Sequence, residues 1–164
     1  MKKFLSLKKI LLFTVLISLA LYPVADNLAE NLSAAFYCII NGNKISLEVA
    51  DNDYLREKGL MYRNSIGENQ GMIFIFDRQD YVNFWMNNVK FPLDILFISG
   101  DKIAKIYNMA DVCRKDPCPF YPSKSKVSYT IELKGGFCRK NKIKTGQKVF
   151  LSRELKEKIS SIQN

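Results

Sequence analysis

Histidine is absent from this chain, which removes the commonest metal ligand and the commonest general base together. Tryptophan occurs once, and no stretch repeats or falls into low complexity. No long amphipathic helical pattern separates the apolar runs, so a doubly wound α/β sheet is disfavoured. A nucleic-acid-binding module with interleaved basic and aromatic residues is also missing, although the formal net charge is +9. With 164 residues there is room for one domain with a real core.

The N-terminus carries Lys2, Lys3, Lys8 and Lys9, followed by an uncharged apolar run from Ile10 to Ala20. This is the layout of a secretory signal. Pro23 interrupts the run, which is short for a bilayer-spanning helix of about 20 apolar residues. Small residues at Ser18/Ala20 and Ser33/Ala35 suit a signal peptidase, so residues 1–35 are expected to be a signal helix, with an uncleaved anchor in the cytoplasmic membrane as the alternative. Cutting after Ala35 removes four of the 25 basic and two of the 16 acidic residues and leaves +7. In a periplasmic or secreted protein, contact with envelope components or simple solubility accounts for such a surface better than nucleic acid does. Membrane contact is then expected only through an uncleaved N-terminal segment.

All four cysteines, Cys38, Cys113, Cys118 and Cys138, follow the proposed cut. In an oxidising compartment an even set points to disulfides. The short Cys113–Cys118 loop with Pro117 favours a local bridge, leaving Cys38 and Cys138 for each other. A four-thiolate zinc site competes but fits neither the spacing nor the compartment. No metal or cofactor is expected. Met61, Met72 and Met86 could be a soft copper site; filling core gaps is the simpler reading.

Residues 36–151 read as the folded domain. Asn41–Gly42 joins two strands at 36–40 and 44–49, since both turn positions need positive φ. Ile45, Leu47 and Val49 alternate with polar residues and face a core. A two-turn helix is expected over Asp51–Lys58, capped by Asp51, Asn52 or Asp53 and ended by Gly59. Further strands are expected at 72–76, 81–86, 94–98, 102–109, 127–133 and 147–151. The stretch 110–126 reads as the longest loop. Val127, Tyr129, Ile131 and Leu133 are placed on one face, and the tail 152–164 shows Leu155, Ile159 and Ile162 at helical spacing. The fold class is mainly β: a compact antiparallel sandwich or barrel with one short helix, a signal helix before it and a short C-terminal helix after it.

Three motifs occur in order: Gly59-Leu60-Met61-Tyr62-Arg63, then Gly71-Met72-Ile73-Phe74-Ile75-Phe76, then Phe84-Trp85-Met86-Asn87-Asn88 with Phe91-Pro92-Leu93-Asp94. Together they closely resemble the bacterial and archaeal family called domain of unknown function 192, over roughly Ile39 to Leu151. The resemblance implies a small jelly-roll-like β fold and an exported protein, with no established activity. Asn87 stands where that family usually has Lys, so a cationic function at this position would be lost here.

Within the motifs, Arg63 offers a planar donor fork and Asp94 a carboxylate that could receive it. Trp85 offers a flat apolar wall, and Asn87 and Asn88 offer donors and acceptors suited to a small polar ligand. The competing reading makes Arg63–Asp94 an architectural pair, Trp85 core and the Asn side chains turn formers. A cis Phe91–Pro92 bond, costing only ~0.5–1 kcal/mol, would fold the Asn-rich loop over Trp85.

Three functions follow. The first is a non-enzymatic ligand-binding or accessory module of the envelope, with Arg63, Trp85, Asn87, Asn88 and Asp94 around a polar cleft. The second is a hydrolase or lyase with Asp94 as base and Arg63 as charge stabiliser. The third is thiol redox chemistry at Cys113 and Cys118, whose four-residue spacing departs from the two of thioredoxin-like motifs.

Overall fold

The computed structural model describes residues 36–163. The expected signal helix and its cleavage sites lie outside the described residues. Among those described, no helix is long and apolar enough to cross a membrane.

The chain opens with the expected hairpin, β1 (Tyr37–Ile40) and β2 (Asn43–Ala50). Asn41 and Gly42 have φ of 49° and 79°, the left-handed pair that a two-residue hairpin turn demands. Helix α1 (Asp53–Lys58) follows, capped where Asn52 Oδ1 accepts the Leu55 amide at 3.0 Å. Strand β3 (Gln70–Asp80) then runs parallel to β2. This one parallel pair corrects the expectation of an all-antiparallel sheet; α1 and the segment after it supply the crossover that parallel pairing requires.

The remaining elements are β4 (Asn83–Trp85), β5 (Leu93–Ser99), β6 (Lys102–Ala110), β7 (Phe120–Pro122), β8 (Val127–Lys134), α2 (Phe137–Lys140), β9 (Val149–Leu151) and α3 (Arg153–Gln163). Seven strands form one sheet in the order β6-β5-β8-β3-β2-β1-β9, while β4 and β7 make a separate ribbon. The large sheet curls until its edges touch: the Ile103 amide donates to the Gln147 carbonyl at 3.0 Å and Val149 to Asp101 at 2.8 Å. The result is a mainly β, curled half-barrel with short helices. Strand β7 and helix α2 are absent from the sequence expectation, which assigned residues 110–126 to loop.

Each face of the sheet buries its own apolar cluster. On the first, Ile45, Leu47, Ile73, Ile75, Leu96, Ile98, Ile131 and Leu133 meet, and α3 adds Leu155. On the second, Phe74, Ile95 and Phe97 meet Leu60, Met86 and Leu93. Val127 packs into this second cluster rather than with Tyr129, Ile131 and Leu133, because the β3–β8 register shifts between Ile75 and Asp80. Met72 and Met86 are buried in the second cluster and Met61 packs against it, the gap-filling role of a flexible thioether.

The β4–β7 ribbon lies over the second cluster through edge-to-face rings. Phe84 meets Phe74 and Phe97 at centroid distances of 4.9 and 5.6 Å, and Tyr121 meets Tyr107 at 5.2 Å. Such pairs stabilise beyond their buried area by ~0.5–1.5 kcal/mol each.

A bridge joins Cys113 to Cys118 in the segment between β6 and β7. Cys38 and Cys138 are separate, buried thiols, which corrects the expected second bridge. Both fill the first cluster as small apolar side chains. Burial pushes the Cys38 thiol up to about 12, and burial with the neighbouring Asp94 carboxylate raises Cys138. Neither yields the thiolate that disulfide exchange needs. The cis X-Pro bond is Asp116–Pro117 and not Phe91–Pro92, so the proposed fold-back of the Asn-rich loop through a cis bond is also corrected.

Candidate functional site: two buried carboxylates and a pocket

The register of the sheet separates the residues expected to form one cleft. Asp94 lies between Leu93 and Ile95, which pack in the second cluster, and alternates with Leu96 and Ile98 of the first; its side chain belongs to the first face. Arg63 pairs instead with Glu48, opposite Met72 of the second cluster. The two are therefore on opposite sides of the sheet, and the expected Arg63–Asp94 pair does not form. Arg63 Nη1 and Nη2 donate to the two Glu48 carboxylate oxygens at 2.5 and 2.7 Å, a fork-to-fork pair that raises the guanidinium pKa further.

Asp94 is fully buried, and its carboxylate accepts three backbone amides. Met109 and Gly136 donate to Oδ1 at 2.8 and 3.0 Å, and Cys138 donates to Oδ2 at 2.7 Å. It thereby ties the end of β6 and the start of α2 to β5. A carboxylate so enclosed has no opening to a substrate, which removes the residue that the hydrolase reading requires.

Asn88, with φ 54°, gives its carbonyl to the Tyr62 amide at 2.9 Å and donates from Nδ2 to the Tyr62 hydroxyl at 3.1 Å. Its role is to join the 59–63 motif to the 84–94 motif. Asn87 is half-buried, with Oδ1 3.9 Å from Cys118 Sγ; a bridged sulfur carries no hydrogen, so this is a packing contact between the bridged segment and the motif.

Trp85 is 38% exposed. Its ring lies parallel to that of its cross-strand neighbour Phe120, with centroids 6.1 Å apart and 8° between planes. It also lines a narrow pocket with Gly59, Leu60, Met61, Phe74, Phe84, Val89 and Glu132, and with Arg56, Glu57 and Lys58 of α1. Of the five residues singled out from the sequence, Trp85 alone lines this pocket. Wider depressions occur at Phe76, Asp77, Arg78 and Asp80 and at Tyr54 and Tyr62, but neither contains a buried polar group.

Glu132 distinguishes the narrow pocket. It lies on β8 between Met72 of β3 and Ile95 of β5, and only 4% of it is exposed. Among the described residues its carboxyl has no hydrogen-bond or ion-pair partner, and desolvation alone pushes its pKa up to about 8. Two residues away on the same face, Thr130 Oγ1 is buried and also without a partner. Burying such groups unpaired costs ~1–3 kcal/mol each or more, so Glu132 stands out as a cost that folding alone does not require.

Gly59 keeps the way to Glu132 open. Its φ of 45° with ψ −130° is a conformation that only glycine adopts readily. A Cβ there would lie 3.3 Å from the Phe74 ring and 3.9 Å from Glu132 Oε2. The charged groups around the pocket are accounted for locally. Arg56 donates to the Ile75 carbonyl at 2.8 Å and to Asp53 at 2.6 Å, and lies 3.5 Å from Asp77. Lys58 stands over the Tyr54 ring at 5.6 Å.

Fold and site together define a small curled β module whose loops and ribbon cover one sheet face and leave an aromatic-walled pocket ending on a carboxyl. The chain belongs to the family domain of unknown function 192, described as "Uncharacterized ACR", which it matches over residues 37–151. Solved structures agree. A protein of unknown function from Novosphingobium aromaticivorans DSM 12444 is 30% identical, with a TM-score of 0.63 over 70% of this chain and 81% of that one. A proposed transcription regulator from Sinorhizobium meliloti 1021 is 28% identical, with a TM-score of 0.64 over 71% of this chain and 91% of that one. No curated protein matches the chain.

Proposed function

We propose that this protein is an exported, non-enzymatic module that binds a small ligand in the pocket between Trp85 and Glu132. The observation that carries the reading is Glu132 itself: a carboxyl buried at the end of an open-mouthed pocket with no partner among the described residues. A ligand donor or acceptor would supply what the fold withholds. The leader-like N-terminus and the Cys113–Cys118 bridge support placement in the envelope. They also weigh against carrying over the nucleic-acid partner that the Sinorhizobium relative's name would suggest.

The test is a small-molecule screen by thermal shift on the full chain, run beside Trp85→Ala and Glu132→Gln. A compound that raises the melting temperature of the parent and of neither variant supports the pocket. Compounds that shift all three proteins equally, or a broad library that shifts none, overturn it.

A further inference from the structure

Resting on the pocket reading above, we infer that the ligand group received by Glu132 is an alkylammonium: a positively charged nitrogen at the end of a slim aliphatic chain. Three observations choose this class. The acceptor is one buried carboxylate, the other acid of the lining being Glu57 on α1, and among the described residues no group of three acids or cysteines could hold a metal ion. The walls next to it are Phe74, Phe84, Trp85, Leu60 and Val89, which suit methylenes and a cation over ring faces and carry one side-chain donor, the indole N–H, too few for a hydroxyl-rich ring. The cavity is narrow, ≈ 30 Å³, so it accepts only the slim tip of a molecule, with the rest of the chain left outside.

The surrounding charges permit a cation. The neighbouring strand residues Met72 and Ile95 are apolar. On α1, Arg56 is neutralised by Asp53 and Asp77, and the lining also carries one further acid and one further base, Glu57 and Lys58. One strand further along the sheet, Arg63 and Glu48 neutralise each other. An anionic group would be repelled by the Glu132 carboxylate, and of the two basic residues in the lining only Lys58, over the Tyr54 ring, is outside an ion pair among the described residues.

The chain contains a single tryptophan, and it lines the pocket, so intrinsic fluorescence reads occupancy directly. The experiment titrates the full chain with n-butylammonium chloride, n-butanol and sodium butyrate, which share a shape and differ in charge, at pH values from 6 to 9. Butylammonium is expected to bind at least tenfold more tightly than butanol. Its affinity should rise by up to about tenfold per pH unit below pH 8 as Glu132 must release its proton, then level off above it. Calorimetry in two buffers at pH 7 should count close to one proton released. Glu132→Gln should erase the preference for butylammonium over butanol while keeping butanol binding.

If butanol or butyrate binds as well as butylammonium, or if the affinity for butylammonium falls as pH rises, the ammonium inference fails and the pocket reading stands. If none of the three perturbs Trp85, the ammonium inference fails, and the wider screen decides the pocket reading separately. The ligand comparison and its pH profile use the parent alone, so the result survives even if the variant does not fold.

Discussion

Asp94 and Glu132 are both buried acids on adjacent strands of one sheet, and they sit in opposite circumstances. Asp94, on the first face, is met by three amides that the β6 end and the start of α2 aim at it. Glu132, on the second face, is met by none among the described residues. A carboxylate held by fixed N–H dipoles is part of the architecture, because its charge is stabilised by groups that would otherwise be orphans. One left bare in a protein interior is a standing cost. The difference locates function better than burial or sequence motif does, since Asp94 lies within a motif and Glu132 does not.

The sharpest way to break this comparison is to remove Asp94. Asp94→Ala leaves three amides without their acceptor and unties two elements from β5; the expected loss is about 3–5 kcal/mol of stability, read as a lowered urea midpoint. A loss under about 1 kcal/mol would mean that the amides find other partners and that Asp94 is not the tie described.

Glu132→Gln should act with the opposite sign. The carboxyl goes from 4.5 to about 8 on folding, so between those values the folded state holds a proton that the unfolded state has released. Stability of the parent therefore falls as pH rises from about 4.5 to about 8 and is level above that. The Gln variant lacks this slope. It should be more stable than the parent by about 5 kcal/mol near pH 8.5 and nearly equal to it near pH 4.5. Parallel stability curves for the two proteins would show that Glu132 has a partner after all.

How far the sequence spoke for each face follows from its periodicity. The first face was legible: Ile45, Leu47 and Val49, then Tyr129, Ile131 and Leu133, mark it by strict alternation, and the Asn41–Gly42 turn fixes the first register. The second face was not. Alternation along β8 leaves Thr130 and Glu132 on a side that a single-layer sheet would give to water. That side is covered by residues 60–66, the 86–93 segment and a ribbon whose second strand, Phe120–Pro122, is three residues long and lies in a Pro-rich stretch. A signal was available nonetheless. Residues 72–76 and 93–98 are largely apolar on both faces, and a strand paired between two such neighbours must be covered on both sides, so Glu132 is marked as a buried acid once that pairing is recognised. The Arg63–Asp94 pairing failed for a related reason, since proximity of motifs along the chain says nothing about which face each side chain takes.

The smallest effect tests the boundary of the site. Arg63 and Glu48 meet in good bidentate geometry, but their side chains are 36% and 53% exposed. Water and salt screen such a pair, and holding two long side chains in register costs entropy, so exposed ion pairs contribute ~0–1 kcal/mol. Arg63→Ala should therefore cost under about 1 kcal/mol, with the loss diminishing as salt is raised, and should leave the affinity of any pocket ligand within about twofold because Arg63 does not line the Glu132 pocket. A large fall in ligand affinity with stability unchanged would return Arg63 to the site. It would also require the 59–63 segment to move when ligand binds, since Arg63 is tied to Glu48 and does not reach the pocket as it stands.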